Sequence, residues 1–369
     1  MEVERYEIAL PIEALEELHE RLERTRWPAT PPGSGWEMGT ELEYLQELCE
    51  HWRTAYDPAR LEERINDLPN WRADTIHLIW ERGDGNGLPV VLIHGWPGGV
   101  IEFLEVIPRL LAAGHDVVVP SLPGYGFSEI PDGVLNVAEV AARLRAVVEE
   151  GLGYERYAVQ GGDWGAAIAS RMAFEAPEHA VALHVNAVLA LPIPADLGDP
   201  PLSEAEQAYV EHAQRWRQRE GFHLLVQSAV PQSLAYGLND SPAGLAGWLV
   251  DKYRAWSDCG GDIERAFSKD ELCDFLTIYW ATGTIGSSMR LYLGERRDRW
   301  RLAAGERIPV PAAVADFPRE ILRPPRQWAE RVLADLRRWT EMPRGGHFAA
   351  FEEPELLAED VIEFLGELA

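Results

Sequence analysis

The sequence predicts an α/β protein: a doubly wound, mostly parallel sheet with an inserted helical lid and an N-terminal helical meander. Two observations carry that reading. Between about residues 74 and 188, short apolar runs alternate with amphipathic runs, the order expected of a parallel sheet covered on both faces. After Pro192 the alternation gives way to about 115 mostly helical residues rich in Trp and Tyr, too long for a loop. Strand character returns only at Ile308 to Ala315.

The elements follow in order. Apolar Ile12, Leu15, Leu18 and Leu22 recur at three- and four-residue spacing and mark one face of a helix from Pro11 to Arg26. A Pro/Gly stretch (Pro28 to Gly35) stops it, and a second helix runs from about Glu41 to Ala55. Strand-like Asp74 to Trp80 and Leu88 to Ile93 flank a Gly-rich turn. Helical 101–111, strand-like Asp116 to Pro120, helical 137–150, strand-like Tyr157 to Gln160, helical 166–175 and strand-like Ala182 to Val188 complete the alternation. The expected division is a meander over residues 1–75, a core over 76–191 and 306–369, and a lid over 192–305.

Composition narrows the function. A 369-residue chain with 46% hydrophobic content can bury a core of enzyme size. Its net charge of −27 would repel nucleic acid and anionic membrane surfaces before contact. The charged N-terminus is neither a signal peptide nor an anchor, and no uncharged apolar run of about 18 residues follows. Cys49, Cys259 and Cys273 have spacings that suit neither a zinc site nor a disulfide framework. A soluble cytoplasmic protein is expected, with no metal and no organic cofactor. Its oligomeric state is open, and a homodimer is compatible with the sequence.

Three motifs carry chemistry. The first is Tyr157 to Ala166, a strand running into a helix through Gly161-Gly162-Asp163-Trp164-Gly165, the nucleophile-elbow pattern of α/β-hydrolases with Asp in place of Ser. Alone, Asp163 would serve equally as a helix cap. The second is His94-Gly95-Trp96-Pro97-Gly98-Gly99, directly after an apolar strand. In that fold the backbone N–H groups of such a loop and of the residue after the nucleophile form an oxyanion hole, here Trp96 and Trp164. The third is the late loop histidine His347, where the fold keeps its base. The order nucleophile, acid, histidine then asks for a carboxylate after the strand ending near Ala315. Asp316 and Glu320 both qualify.

Aspartate rather than serine changes the chemistry. A carboxylate of ordinary pKa ~4 is ionised at neutral pH and needs no base to activate it. Its attack on an ester would give a reactive anhydride, whereas attack on a saturated carbon gives an ordinary ester. The electrophile is therefore an sp³ carbon bearing a leaving group, an epoxide or an alkyl halide.

At this point the chain resembles the microsomal-type epoxide hydrolases over almost its whole length. The resemblance rests on Arg24-Thr25-Arg26-Trp27-Pro28, His94 to Gly99, Leu122 to Glu129, Gly161 to Gly165, Leu238 to Pro242, Tyr279 to Thr284 and Gly345 to Glu353. The resemblance is to a soluble version, expected to lack the family's membrane anchor. The resemblance implies Asp163 as nucleophile, His347 as the base that activates water, and Glu320, in Phe317-Pro318-Arg319-Glu320, as its partner. It also implies two lid tyrosines over the epoxide oxygen. Ser288-Met289-Arg290-Leu291-Tyr292 matches the second, so Tyr292 is the expected donor. The place of the first holds Phe222-His223, ambiguous by one residue. His223 could donate a hydrogen bond and would add a histidine ionisation to the pH profile; Phe222 could not. The expected substrates are a small apolar epoxide and water, the product a vicinal diol. The rivals are a haloalkane dehalogenase using the indole of Trp164 to hold halide, and a non-catalytic protein that binds an apolar ligand.

Overall fold

The computed structural model describes residues 1–85 and 87–368. Their strands are β1 (Val3–Arg5), β2 (Asn70–Ala73), β3 (Ile76–Glu81), β4 (Val90–Ile93), β5 (Val117–Pro120), β6 (Tyr157–Gly161), β7 (Ala180–Val185), β8 (Ile308–Asp316) and β9 (Leu333–Glu341). They form one sheet in the order β1-β2-β3-β5-β4-β6-β7-β8-β9. From β5 to β9 every pairing is parallel, while β1, β2, β3 and β5 pair antiparallel. The runs β4 and β5 are Val/Ile/Leu-rich and wholly buried because helices cover both faces.

The chain leaves β4 toward β5 and then crosses back to β6 on the other side. Such a reversal opens a crevice at the carboxyl ends of the strands, where ligands bind in open α/β sheets. The loops after β4, β6, β8 and β9 all emerge there. This topology is that of the α/β-hydrolase fold.

The helices of the core are α4 (Ile107–Ala112), α5 (Val137–Ala146), α6 (Asp163–Glu175), α14 (Arg326–Glu330), α15 (Ala349–Glu352) and α16 (Pro354–Gly366). Before them come α1 (Ile12–Glu23), α2 (Leu42–Thr54) and α3 (Pro58–Asn66). Between β7 and β8 the chain folds into α7 (Glu204–Arg219), α8 (Phe222–Ala229), α9 (Pro231–Asp240), α10 (Pro242–Trp256), α11 (Lys269–Thr282), α12 (Ile285–Ser288) and α13 (Arg290–Arg297). Among the described residues no helix is long and apolar enough to cross a membrane.

The N-terminal helices lean on this excursion through specific bonds. Trp52 Nε1 donates to Thr277 Oγ1 at 2.8 Å, and Trp280 Nε1 donates to the Ala14 carbonyl at 2.8 Å. Asp274 accepts from Tyr56 Oη at 2.8 Å and from Arg64 at 2.7 Å. Three differences from the sequence reading are physical. Strand β9, Leu-Ala-Asp-Leu-Arg-Arg-Trp-Thr-Glu, was not anticipated because it lies at the sheet edge and keeps charged side chains toward solvent, so no apolar run marks it. The strands β1 and β2 escape because three or four residues each, with no apolar alternation, carry no pattern to read. The expected helix at 101–111 is split, a single turn at Val100–Phe103 preceding α4.

Candidate active site

Asp163 sits where β6 meets α6, with φ +48°, a left-handed conformation that a side chain adopts only under constraint. Close packing supplies the constraint. A Cβ on Gly165 would lie 1.8 Å from the Ile93 carbonyl oxygen, and one on Gly95 would lie 2.4 Å from the Asp163 Cβ. The loop after β4 is thus pressed directly against the turn that presents Asp163.

The donors follow from that contact. The Trp96 N–H donates to Asp163 Oδ1 at 2.8 Å, and the Trp164 N–H also faces the carboxylate. On the other side His347 Nε2 lies 3.6 Å from Asp163 Oδ2. His347 Nδ1–H donates to Glu320 Oε1 at 2.7 Å, and the same oxygen accepts the Ile321 N–H at 2.7 Å, which fixes the carboxylate. The loops bearing Glu320 and His347 are stitched by a backbone bridge between Arg319 and Gly346. The His347 N–H donates to the Trp256 carbonyl on α10 at 2.9 Å, tying the loop to the lid. Of the two carboxylates the sequence leaves open, Glu320 reaches the histidine. Asp316 is held instead by the Arg323 guanidinium at 2.6 and 2.8 Å.

The electrostatics are those of a buried ion pair. Burial alone would raise the Asp163 carboxyl, but the His347 imidazolium and the Trp96 and Trp164 N–H groups outweigh it and hold it below its ordinary range. Burial alone would lower His347. The Glu320 and Asp163 carboxylates overcome that and raise it well above the usual histidine value. His94, in the neighbouring loop, is a packed structural histidine: it donates from Nδ1 to the Gly95 carbonyl at 3.0 Å and accepts the Leu122 N–H at Nε2.

From above, α8, α10 and α13 bring aromatic side chains over Asp163. The Tyr292 ring stands edge-on to Trp164 at 4.8 Å and to Trp96 at 5.9 Å. His223 stacks parallel to Trp96 at 6.0 Å and lies 6.1 Å from Tyr292. Phe222 points away and is 56% exposed, so the imidazole occupies the position that the sequence left ambiguous.

The epoxide hydrolase N terminus family matches residues 3–103, and the alpha/beta hydrolase fold family matches residues 89–240. A protein of Stigmatella aurantiaca (strain DW4/3-1) is 39% identical over 378 residues, spanning 98% of this chain and 84% of its own. Epoxide hydrolase 1 of Sus scrofa is 34% identical over 96% of this chain and 86% of its own length. The chain belongs to the epoxide hydrolase family. The crystal structure of juvenile hormone epoxide hydrolase from the silkworm Bombyx mori superposes with a TM-score of 0.90 at 30% identity, covering 99% of this chain and 94% of that one.

Two cavities reach the carboxylate of this epoxide hydrolase family member. One, about 600 Å³, opens under the lid and is lined by Asp163, Trp164, His223, Trp256 and Tyr292 at its base. The other, about 20 Å³, lies behind Asp163 among Glu102, Asn186 and His347. A space of that size holds about one water molecule. Glu102 is missing from the sequence reading. The residue is 9% exposed, and its carboxyl accepts the Gly99 N–H at 2.9 Å and is pushed up to about 7, mainly by burial. The signal available was its position three residues after Gly99, where a carboxylate folds back onto the turn.

Proposed function

We propose that the protein hydrolyses an epoxide to a vicinal diol through a covalent ester on Asp163. One observation carries this reading: an ionised carboxylate whose Oδ1 takes the Trp96 N–H while its Oδ2 faces a histidine already paired to a second carboxylate. A serine-type base would sit on the nucleophile to remove a proton. Here there is none to remove, so the histidine is reserved for water.

In the first half-reaction Asp163 Oδ2 attacks an epoxide carbon and the C–O bond of the ring breaks. The alkoxide takes a proton from Tyr292, which solvent restores, and His223 is the second donor toward that oxygen. Alkylation removes the Asp163 charge. His347 then loses one of the two carboxylates that keep it protonated, its pKa falls, its proton goes to solvent in exchange for the one that restores Tyr292, and it becomes a base when one is needed. In the second half-reaction His347, oriented by Glu320, takes a proton from water. Hydroxide adds to the ester carbonyl, the oxyanion forms on the oxygen facing Trp96 and Trp164, and its collapse expels the diol as its alkoxide, which takes the proton from the imidazolium; the proton left on the Asp163 carboxyl passes to His347 and restores the resting ion pair. The cavity beside Glu102 and Asn186 is the site for that water. The sum is epoxide plus water to diol.

A second reading has an observation of its own. The indole N–H groups of Trp96 and Trp164 are buried without a hydrogen-bond partner of normal length, that of Trp164 within reach of the Tyr292 hydroxyl. Two such donors would suit a departing halide. One experiment separates the two. His347→Ala, mixed with an epoxide, should gain the mass of the intact epoxide on the peptide containing Asp163. An alkyl halide should leave no adduct. Adduct elsewhere, or adduct from the halide alone, overturns the epoxide reading.

A further inference from the structure

Tyr253 on α10 sits in an aromatic cluster, its ring 5.3 Å from Phe267, 5.1 Å from Phe275 and 5.0 Å from Phe348. Among those neighbours a phenylalanine would pack equally well, so the hydroxyl is the part that needs a reason. It donates to the Pro97 carbonyl at 2.7 Å. Tyr279 on α11, also buried, donates to the Gly98 carbonyl at 3.0 Å. The lid thus grips consecutive carbonyls of the loop that supplies the Trp96 N–H. Burial raises both phenols well above their ordinary value, so each keeps the proton it donates.

The bonds continue beyond the loop. The peptide group that begins with the Pro97 carbonyl ends in the Gly98 N–H, which donates to the Gly95 carbonyl at 3.1 Å. His94 Nδ1 donates to the same carbonyl at 3.0 Å. The Gly95 carbonyl and the Trp96 N–H are the ends of one peptide group, and that N–H donates to Asp163 Oδ1 at 2.8 Å. Three hydrogen bonds joined through two peptide groups therefore run from the Tyr253 phenol to the carboxylate. A shorter chain runs from Tyr279 through the peptide group of Gly98 and Gly99, whose N–H donates to Glu102 Oε1 at 2.9 Å beside the small cavity. Hydrogen bonds in such chains polarise one another, each strengthened by roughly 10–30%. They also fix the direction of the last donor.

We propose that Tyr253 and Tyr279 are positioning residues for the second half-reaction: Tyr253 aims and strengthens the Trp96 N–H that meets the oxyanion, and Tyr279 holds Glu102 against the water site. The lid then serves ester breakdown as well as enclosing the substrate. The proposal rests on the covalent ester of the epoxide reading, and the direction of the effect separates it from loosened packing. In the first half-reaction Asp163 gives up charge, so a weaker Trp96 N–H does not slow alkylation. In the second, charge grows on the oxygen that the N–H faces, so breakdown slows. Rapid-quench mass analysis of the peptide containing Asp163, with styrene oxide as the probe, reads both steps in Tyr253→Phe and Tyr279→Phe. Breakdown should slow about tenfold in each, a part of the 10²- to 10³-fold lost with a whole donor, while formation stays within about twofold of wild type. Tyr56→Phe, which removes a phenol bonded to Asp274 where the N-terminal helices meet the lid, should lower the melting temperature and leave both rates unchanged. Should Tyr253→Phe fail to fold, Tyr279→Phe carries the test through its own bond. A variant whose breakdown is unchanged, or whose two steps slow alike, takes that tyrosine out of the role. A wild-type enzyme that opens the epoxide with no ester on Asp163 overturns the covalent reading and this proposal with it.

Discussion

In the proposed mechanism His347 is the residue on which the two half-reactions turn, and its two carboxylate neighbours do different work. Glu320 is in hydrogen-bond contact with Nδ1 and stays charged throughout, whereas Asp163 loses its charge on alkylation. Glu320→Gln should therefore slow breakdown of the ester by about 10²-fold or more while leaving its formation much less affected, because an amide no longer fixes the tautomer. Asp316→Asn removes only the Arg323 pair and should change stability, not turnover. Burst kinetics on both variants decide this, and a slower ester breakdown in Asp316→Asn than in Glu320→Gln would reverse the assignment. Tyr292→Phe should cost about 10²- to 10³-fold in alkylation, the usual loss for a donor aimed at developing charge. His223→Phe should cost a comparable factor. Burial, aided by the Lys252 charge, puts His223 down at about 3, so no ionisation of its own appears in the rate between pH 5 and 9, contrary to the sequence expectation. A single-turnover profile showing such a step would remove it as the neutral donor. Asp163, Trp96, Trp164, Glu320, His347 and Tyr292 were legible in sequence as residue types in motifs. Glu102 was not, because its meaning lies in burial, which only coordinates show.

The joint between β6 and α6 depends on what is not there. Gly165→Ala would drive a methyl to 1.8 Å of the Ile93 carbonyl, so either the helix or strand β4 must move and Asp163 moves with it. That variant should lose several degrees of melting temperature and nearly all alkylation. Gly99→Ala, three residues beyond Trp96 in an extended conformation with open space around the added methyl, should be close to wild type. Differential scanning fluorimetry and a burst assay on the pair test this, and a fully active Gly165→Ala would mean the elbow is not tightly packed. Elements with strong patterns, such as β4, β5 and β6, could be read from the chain within a residue or two. Those that went unread were short or charged. Helix α3 is the instructive one: Asp57 caps it, accepting the Ala59 N–H, and Pro58 opens it, a start signal present in the sequence though the helix lacks a long apolar face.

Over the whole molecule, buried groups of opposite tendency shape the dependence of stability on pH. Burial pushes His77, His94 and His223 down to about 3, 4 and 3. Unfolding frees them to protonate near their ordinary 6.5, so their contribution is present above that value and lost as pH falls through 4 toward 3. Glu102 and Glu352 are raised to about 7 and Asp274 to about 6, again chiefly by burial. Their contribution is full below their ordinary values and lost as pH rises through 6 and 7, as is that of His347. Between roughly pH 4.5 and 6.5 the two sets offset, so melting temperature should be flat there and fall on both sides. Glu102→Gln should remove part of the alkaline fall, on the order of 3 kcal/mol. A melting temperature that climbs from pH 6 to 8 would contradict this. The bonds from the N-terminal helices to the lid have a consequence in time. Trp52 is made 225 residues before Thr277, its partner. At about 5–20 residues per second, roughly 11 to 45 seconds pass on the ribosome before the two can meet. Through that interval the face of α2 bearing Leu48, Cys49 and Trp52 waits without the α11 surface that completes its cover, and Glu43, Glu47 and Glu50 on the same helix favour contact with solvent meanwhile.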